Sequence, residues 1–128
     1  MTRRFQTLDV FTETALAGNP LAVVLDAEGL DEARMQAIAA EFNLSETVFV
    51  FEPRDAVNSA RVRIFTPKRE MPFAGHPTVG AAALIAHQRA ADLLRAQDLR
   101  IVLEEPIGDV VCVARRRKGQ ALANMRAW

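Results

Sequence analysis

The stretch PTVGAAALIAHQRAA, Pro77–Ala91, decides the fold. From Val79 to Ala86 it is apolar or glycine at every position. A surface helix keeps a polar stripe for water, and a helix without one must be covered on all sides. The rest of the chain therefore has to supply a wrapping.

The other segments read mainly as strands. RRFQTLDVF (Arg3–Phe11) and PLAVVL (Pro20–Leu25) have strand character, separated by the turn TALAGNP. Gly29-Leu30-Asp31 opens a second helix that Asp31 can cap. Its apolar positions Leu30, Ala33, Met35, Ile38, Ala39 and Phe42 recur at helical spacing as far as Asn43. Glu32, Arg34 and Glu41 give this helix a polar face, so it is expected on the outside. ETVFVFE (Glu46–Glu52) and ARVRIFT (Ala60–Thr66) read as strands, followed after Pro67 by a polar hook, KRE. LRIVLEE, DVVCVAR and QALANMR complete the set, with turns at Pro106–Asp109 and at RRKG. About seven strands and two helices predict an α+β domain: a curved, mostly antiparallel sheet wrapped around a central apolar helix, plus one outer helix. A doubly wound parallel fold is disfavoured, because the strands come in pairs without a helix between each.

Composition narrows the function. The 128 residues suit a single domain, 1–128, large enough to bury a core. Sixteen basic and sixteen acidic side chains cancel, leaving no electrostatic footprint for nucleic acid or an anionic membrane. No apolar run reaches the roughly 20 residues of a membrane span. MTRRFQTLDVF lacks the apolar core and cleavage site of a signal peptide, and the single cysteine, Cys112, cannot form an internal disulfide. A cytoplasmic protein is expected. The sequence stops at ALANMRAW, directly after a strand, which fits either a natural end or a longer protein divided between domains.

The approach to the apolar helix is FAGHPTVG, Phe73–Gly80. Proline suits the first helical position, where a missing N–H costs nothing. With Pro77 there, His76 is expected as the cap and Gly75 just before it. The N–H groups of Thr78, Val79 and Gly80 would then lack intrahelical partners at the positive end of the dipole. Gly75 allows close approach of the backbone, and a small carboxylate is the natural guest. A structural glycine turn with a histidine cap reads equally well from these residues.

A second constellation is FNLSETVFV, Phe42–Val50, in which Ser45-Glu46 falls between the outer helix and an alternating strand. Glu46 at a strand mouth is a candidate general base and acid, although an isolated SET is ordinarily a solvated loop. Other candidates are weak. His87 lies eleven residues after His76, about 16 Å along a helix, so the two cannot share a metal. No Cys/His pair has ligand spacing, and no metal site is expected. Cys112 alternates with Val111 and Val113 and reads as a core filler. Arg115–Lys118 reads as an exposed turn.

Three motifs together carry more than any one alone. DVFTETALAGNPLAVVLD, FNLSETVFV and RIFTPKREMPFAGHPTVGAAALI resemble, in order and spacing, the N-terminal half of the PhzF-like isomerases of phenazine biosynthesis, within the diaminopimelate epimerase superfamily. The resemblance runs from about Phe5 to the end. It implies a curved sheet around a central helix and a substrate cleft between two such domains, with helix N-termini holding a carboxylate and no cofactor. The family's catalytic glutamate falls on Glu46 and the histidine of its AGHP motif on His76, with Gly75 supplying a backbone donor. Asn19 and Ser45 match positions lining that cleft, and Pro77 and Thr78 belong to the substrate-binding turn.

The implied reaction is a proton shift between carbons of a small carboxylate-bearing substrate, with Glu46 removing and returning the proton. Epimerases of the superfamily use two thiols instead. Ala74 stands where the first would be, and two-thiol chemistry is not expected. Family members are about twice this long. The expectation is a cleft completed by a homodimer or by a complementary second domain; the alternative is an inactive domain or fragment that binds a small carboxylate or a protein partner.

Overall fold

The structure, a computed structural model, describes residues 2–10, 19–117 and 120–125. Its strands are β1 (Phe5–Val10), β2 (Asn19–Val24), β3 (Glu46–Phe51), β4 (Ala60–Phe65), β5 (Glu70–Met71), β6 (Leu99–Glu105), β7 (Gly108–Arg117) and β8 (Gln120–Met125), and its helices are α1 (Glu32–Phe42) and α2 (Gly75–Ala96). All strands join one sheet in the order β1-β2-β3-β4-β6-β7-β8, with β5 paired to β4. Helix α2 packs against β1 at one end of that order and β8 at the other, and against β2, β3, β6 and β7 between them. One helix can touch both ends of a seven-strand path only if the sheet curls around it.

Most neighbouring strands are antiparallel. The exceptions, β2 with β3 and β4 with β6, are the pairs whose connections contain a helix. A parallel pair needs a long crossover, and α1 and α2 provide the two. The crossovers lie on opposite faces, which gives the domain two cores. The inner core joins Leu21, Val23, Val48, Val50, Val62 and Ile64 to Ala81, Ala82, Leu84 and Ile85 of α2. The outer core sets Phe49, Phe51 and Phe65 against Met35 and Ala39 of α1. In β3, period-two alternation sends Val48 and Val50 inward and Phe49 and Phe51 outward. Each large apolar side chain so buried contributes about 1.5–3 kcal/mol.

Asp31 caps α1 as expected, accepting from the Arg34 N–H at 2.8 Å, and Asn43 ends it in the left-handed region at φ 53. Ala33, expected on the apolar stripe, is exposed instead. The hook after Pro67 contains a short strand, β5. Arg63 holds it there, donating to both carboxylate oxygens of Glu70 at 2.8 and 2.6 Å and also to Glu32 of α1 at 2.8 Å.

The start of α2 differs from expectation. The helix begins at Gly75, so Ala74 is the cap and His76 and Pro77 lie inside the first turn. Thr78 N–H does have an intrahelical partner, the Ala74 carbonyl at 3.3 Å. Proline is tolerated anywhere in the first turn, because none of those N–H groups finds an intrahelical acceptor; its presence therefore does not date the helix start to the residue. At its other end α2 runs past Ala91 to Ala96 with a kink at Ala90, where φ is −147 and ψ 42. The fully apolar part, Val79–Ala86, is the part the sheet covers, and exposure begins at His87. No helix among the described residues is long and apolar enough to cross a membrane. Cys112 is fully buried in the inner core. Arg115, Arg116 and Arg117, expected in a turn, are strand instead, since β7 runs through Arg117; Lys118 and Gly119 lie outside the described residues.

Candidate active site

Glu46 is the first residue of β3 and shares the inward phase of Val48 and Val50. The strand axis thus aims its carboxylate at α2. Its position at the strand's end, beyond the apolar residues, brings it level with the helix's first turn rather than its core. There His76 meets it: Nε2 lies 2.5 Å from Glu46 Oε1, with the two side chains 19% and 16% exposed. The approach is close but off the axis of a regular hydrogen bond. Catalytic hydrogen bonds are commonly misaligned before substrate arrives and tighten afterwards.

Around this pair, the backbone offers donors. The N–H groups of Gly75 and His76 precede any intrahelical acceptor and carry the positive end of the α2 dipole. A β-carbon placed on Gly75 would meet nothing within 4 Å, so this chain leaves the space in front of that residue open. An anionic group can approach there.

The remaining residues singled out from the sequence divide. Ser45 directly precedes Glu46 and is exposed. Asn19 opens β2, which runs parallel to β3 with Leu21 opposite Glu46, so its backbone reaches the same end of the sheet. The Asn19 side chain lies outside the described residues, as do Ala17 and Gly18. Pro77 is buried, and Thr78 is wholly so. The Thr78 hydroxyl turns inward, 2.8 Å from the Ala74 carbonyl and 2.9 Å from Glu105 Oε2.

Sequence reasoning missed Glu105. It ends β6 in phase with Ile101 and Leu103, and its residue is only 7% exposed. That phase, an acid in register with apolar core positions, was the available signal. Burial pushes its carboxyl up to about 7, and the Thr78 hydroxyl offsets only part of this. Burial, and secondarily Glu105, pushes the Cys112 thiol up to about 11, so Cys112 is no nucleophile at neutral pH. The neighbouring Glu104 points the opposite way. It accepts from Asp55 N–H at 3.0 Å, Arg54 N–H at 2.8 Å and Asn58 Nδ2 at 2.9 Å, which hold its carboxyl below the usual range. A groove of about 600 Å³ is lined by Arg54, Arg61, Arg63, Glu104, Glu105 and Asp109 and excludes Glu46 and His76.

A sheet curled about a buried helix, with an acid and an imidazole meeting at the helix's open end, defines the class: one half of a diaminopimelate epimerase-like α+β architecture. The chain belongs to the PhzC-PhzF family, phenazine biosynthesis-like proteins, whose model matches residues 8–126. It is 55% identical over 125 residues to an uncharacterized isomerase of Mesorhizobium japonicum, a match covering 95% of this chain and 39% of that protein. Over 117 residues it is 44% identical to the trans-2,3-dihydro-3-hydroxyanthranilate isomerase of Pseudomonas fluorescens, covering 91% of this chain and 39% of that one. Among solved structures, a predicted epimerase from Pseudomonas aeruginosa superposes with a TM-score of 0.86 at 40% identity, over 97% of this chain and 42% of that one. The chain thus spans about two-fifths of the length of these relatives.

Proposed function

We propose that this chain is the Glu46-bearing half of a PhzF-type isomerase that moves a proton between carbons of a small carboxylate-bearing substrate without a cofactor. The observation that carries the reading is the contact of Glu46 with His76 at the N-terminal turn of α2. In this reading the Glu46 carboxylate takes a proton from a carbon beside an activating group. The enol-like intermediate is stabilised by fixed dipoles, here the Gly75 and His76 N–H groups and the imidazole. Glu46, now a carboxylic acid, returns the proton at a second carbon, so there is no net redox change. His76 orients Glu46 and spreads its charge; Ser45 and Asn19 flank the substrate. Pro77 and Thr78 complete the turn that presents the Gly75 and His76 N–H groups.

The relative from Pseudomonas fluorescens is named for isomerising a dihydro-hydroxyanthranilate, and an anthranilate bears a carboxylate. A compound of that class is the substrate to test first. The chain spans 39% of that relative; in this reading a second copy or a complementary domain supplies the opposite wall of the cleft.

The test is isotope exchange. Incubated in D2O with trans-2,3-dihydro-3-hydroxyanthranilate, the chain is expected to wash deuterium into a carbon position, detected by NMR. Glu46→Gln should lower the rate by at least the 10²–10⁴-fold of a lost general base. Exchange that survives the substitution removes Glu46 from the reaction. Sedimentation at micromolar concentration should show dimers, and monomers alone would transfer the second wall to another polypeptide.

A further inference from the structure

Thr78 has one hydroxyl proton and two oxygen neighbours at hydrogen-bond distance, the Ala74 carbonyl at 2.8 Å and Glu105 Oε2 at 2.9 Å. A carbonyl cannot donate, so the proton between Thr78 and Ala74 comes from Thr78. The proton between Thr78 and Glu105 then has to come from Glu105. Both contacts are satisfied together only when Glu105 is a neutral carboxylic acid, in the single direction Glu105 to Thr78 to Ala74.

The surroundings agree. Glu105 Oε1 is buried without a hydrogen-bond partner, and no cation pairs with Glu105 among the described residues. Among the described residues, the groups that approach it are few. From β7 comes the Cys112 thiol, itself held neutral. From α2 comes Thr78, with His76 two residues earlier engaged by Glu46. From β4 the inward residues are Ala60, Val62 and Ile64, while Arg61 and Arg63 alternate to the other face with Phe65. Glu104 on β6 also faces away, and Asp109 of β7 accepts from Asn58. The positive end of α2 favours an anion, but by less than ionising a buried, unpaired carboxyl costs.

We propose that Glu105 is a positioning residue for the Glu46–His76 site: as a neutral acid it donates through Thr78 to the carbonyl that caps α2 and so sets the turn on which His76 is carried. When Glu105 ionises, Thr78 turns its only proton to the new carboxylate and the Ala74 carbonyl loses that bond. The first turn of α2 then loosens, and His76 with it. Burial brings this transition to about pH 7 instead of 4.5. The functional meaning rests on the isomerase reading, but the proton chain does not.

The test needs no substrate, so it fails or succeeds apart from that reading. In protein labelled with 13C at glutamate carboxyls, one resonance, lost in Glu105→Gln, should titrate with a midpoint near 7. The amide signals of Gly75 and Thr78 and the His76 ring signals should show a step at that same midpoint. In Glu105→Gln, whose side-chain amide still donates to Thr78, the Gly75 and Thr78 amides should lose the step at that midpoint. In Thr78→Val the Gly75 and His76 amides should no longer step at the Glu105 midpoint. A Glu105 midpoint near 4.5, or a His76 ring and first-turn amides indifferent to Glu105, would overturn the proposal. Wild-type protein alone decides both points if the variants do not fold, because the Glu105 carboxyl can be assigned through its own backbone.

Discussion

Replacing Glu105 with glutamine should change not only how stable the domain is but how its stability depends on pH. Glu105 titrates near 4.5 when unfolded and is pushed up to about 7 in the folded domain by burial. Below the lower value both states hold the proton. Between the two values the unfolded chain has released it and the folded one has not, so folding requires proton uptake and stability falls as pH rises. Above about 7 both are ionised and this group adds no further slope. The interval is about 2.5 pH units, at about 1.4 kcal/mol each, so the wild type should lose about 3.5 kcal/mol in all from this residue as pH rises through it. Against a typical total of about 5–15 kcal/mol that is a large fraction. Glutamine keeps the shape and a donor but cannot titrate. Urea denaturation at pH 5, 6, 7 and 8, with slopes checked for constancy, should show the variant gaining on the wild type up to pH 7 and then holding its margin. A stability difference that stays flat across the series would refute the claim that Glu105 folds as a buried neutral acid.

Glu104→Gln should behave in the opposite sense. The variant should be less stable than wild type at pH 7, because a carboxylate receiving three N–H groups loses one acceptor oxygen. That deficit should shrink in denaturation series as pH falls below the ordinary carboxylate value toward the lowered one at which the folded wild-type group protonates too. Phe49→Ala removes a fully buried ring that meets Phe65 edge-on at 5.5 Å, and should cost about 3–5 kcal/mol in the same assay. Gly75→Ala adds a methyl that meets nothing within 4 Å beyond its chain neighbours and its own helix backbone. Thermal melts should show stability unchanged or raised, by no more than about 1 kcal/mol, while carboxylate binding by calorimetry weakens. Unweakened binding would remove Gly75 from the site.

Much of the architecture was legible because it follows from local periodicity. An unbroken apolar run in Val79–Ala86 has no solvent-compatible face, so α2 had to be central, and alternation in β3 put Glu46 in phase with the core. The Asp31 cap and the Asn43 stop were readable from residue type alone. The helix start was not. Gly75, His76 and Pro77 are all acceptable in a first turn, and the choice among them was made by Ala74, whose carbonyl receives the N–H and hydroxyl of Thr78. Strand β5 was also hidden, since two residues show no periodicity and the segment is ordered by Arg63 reaching Glu70 across the ladder.

The two acids of LRIVLEE draw the division most sharply. By itself the sequence determined that Glu104 and Glu105 lie on opposite faces of β6, because strand geometry allows nothing else. It also determined which of its stretches are wrapped and which do the wrapping. Only the tertiary structure decided that one carboxyl meets three N–H groups from the loop at Arg54–Asn58 while its neighbour meets a single hydroxyl from α2. Those partners arrive from 27 to 50 residues away in the chain, a separation at which periodicity carries no information. Ionisation depends on the partners present and the water excluded, and both are properties of the assembled fold.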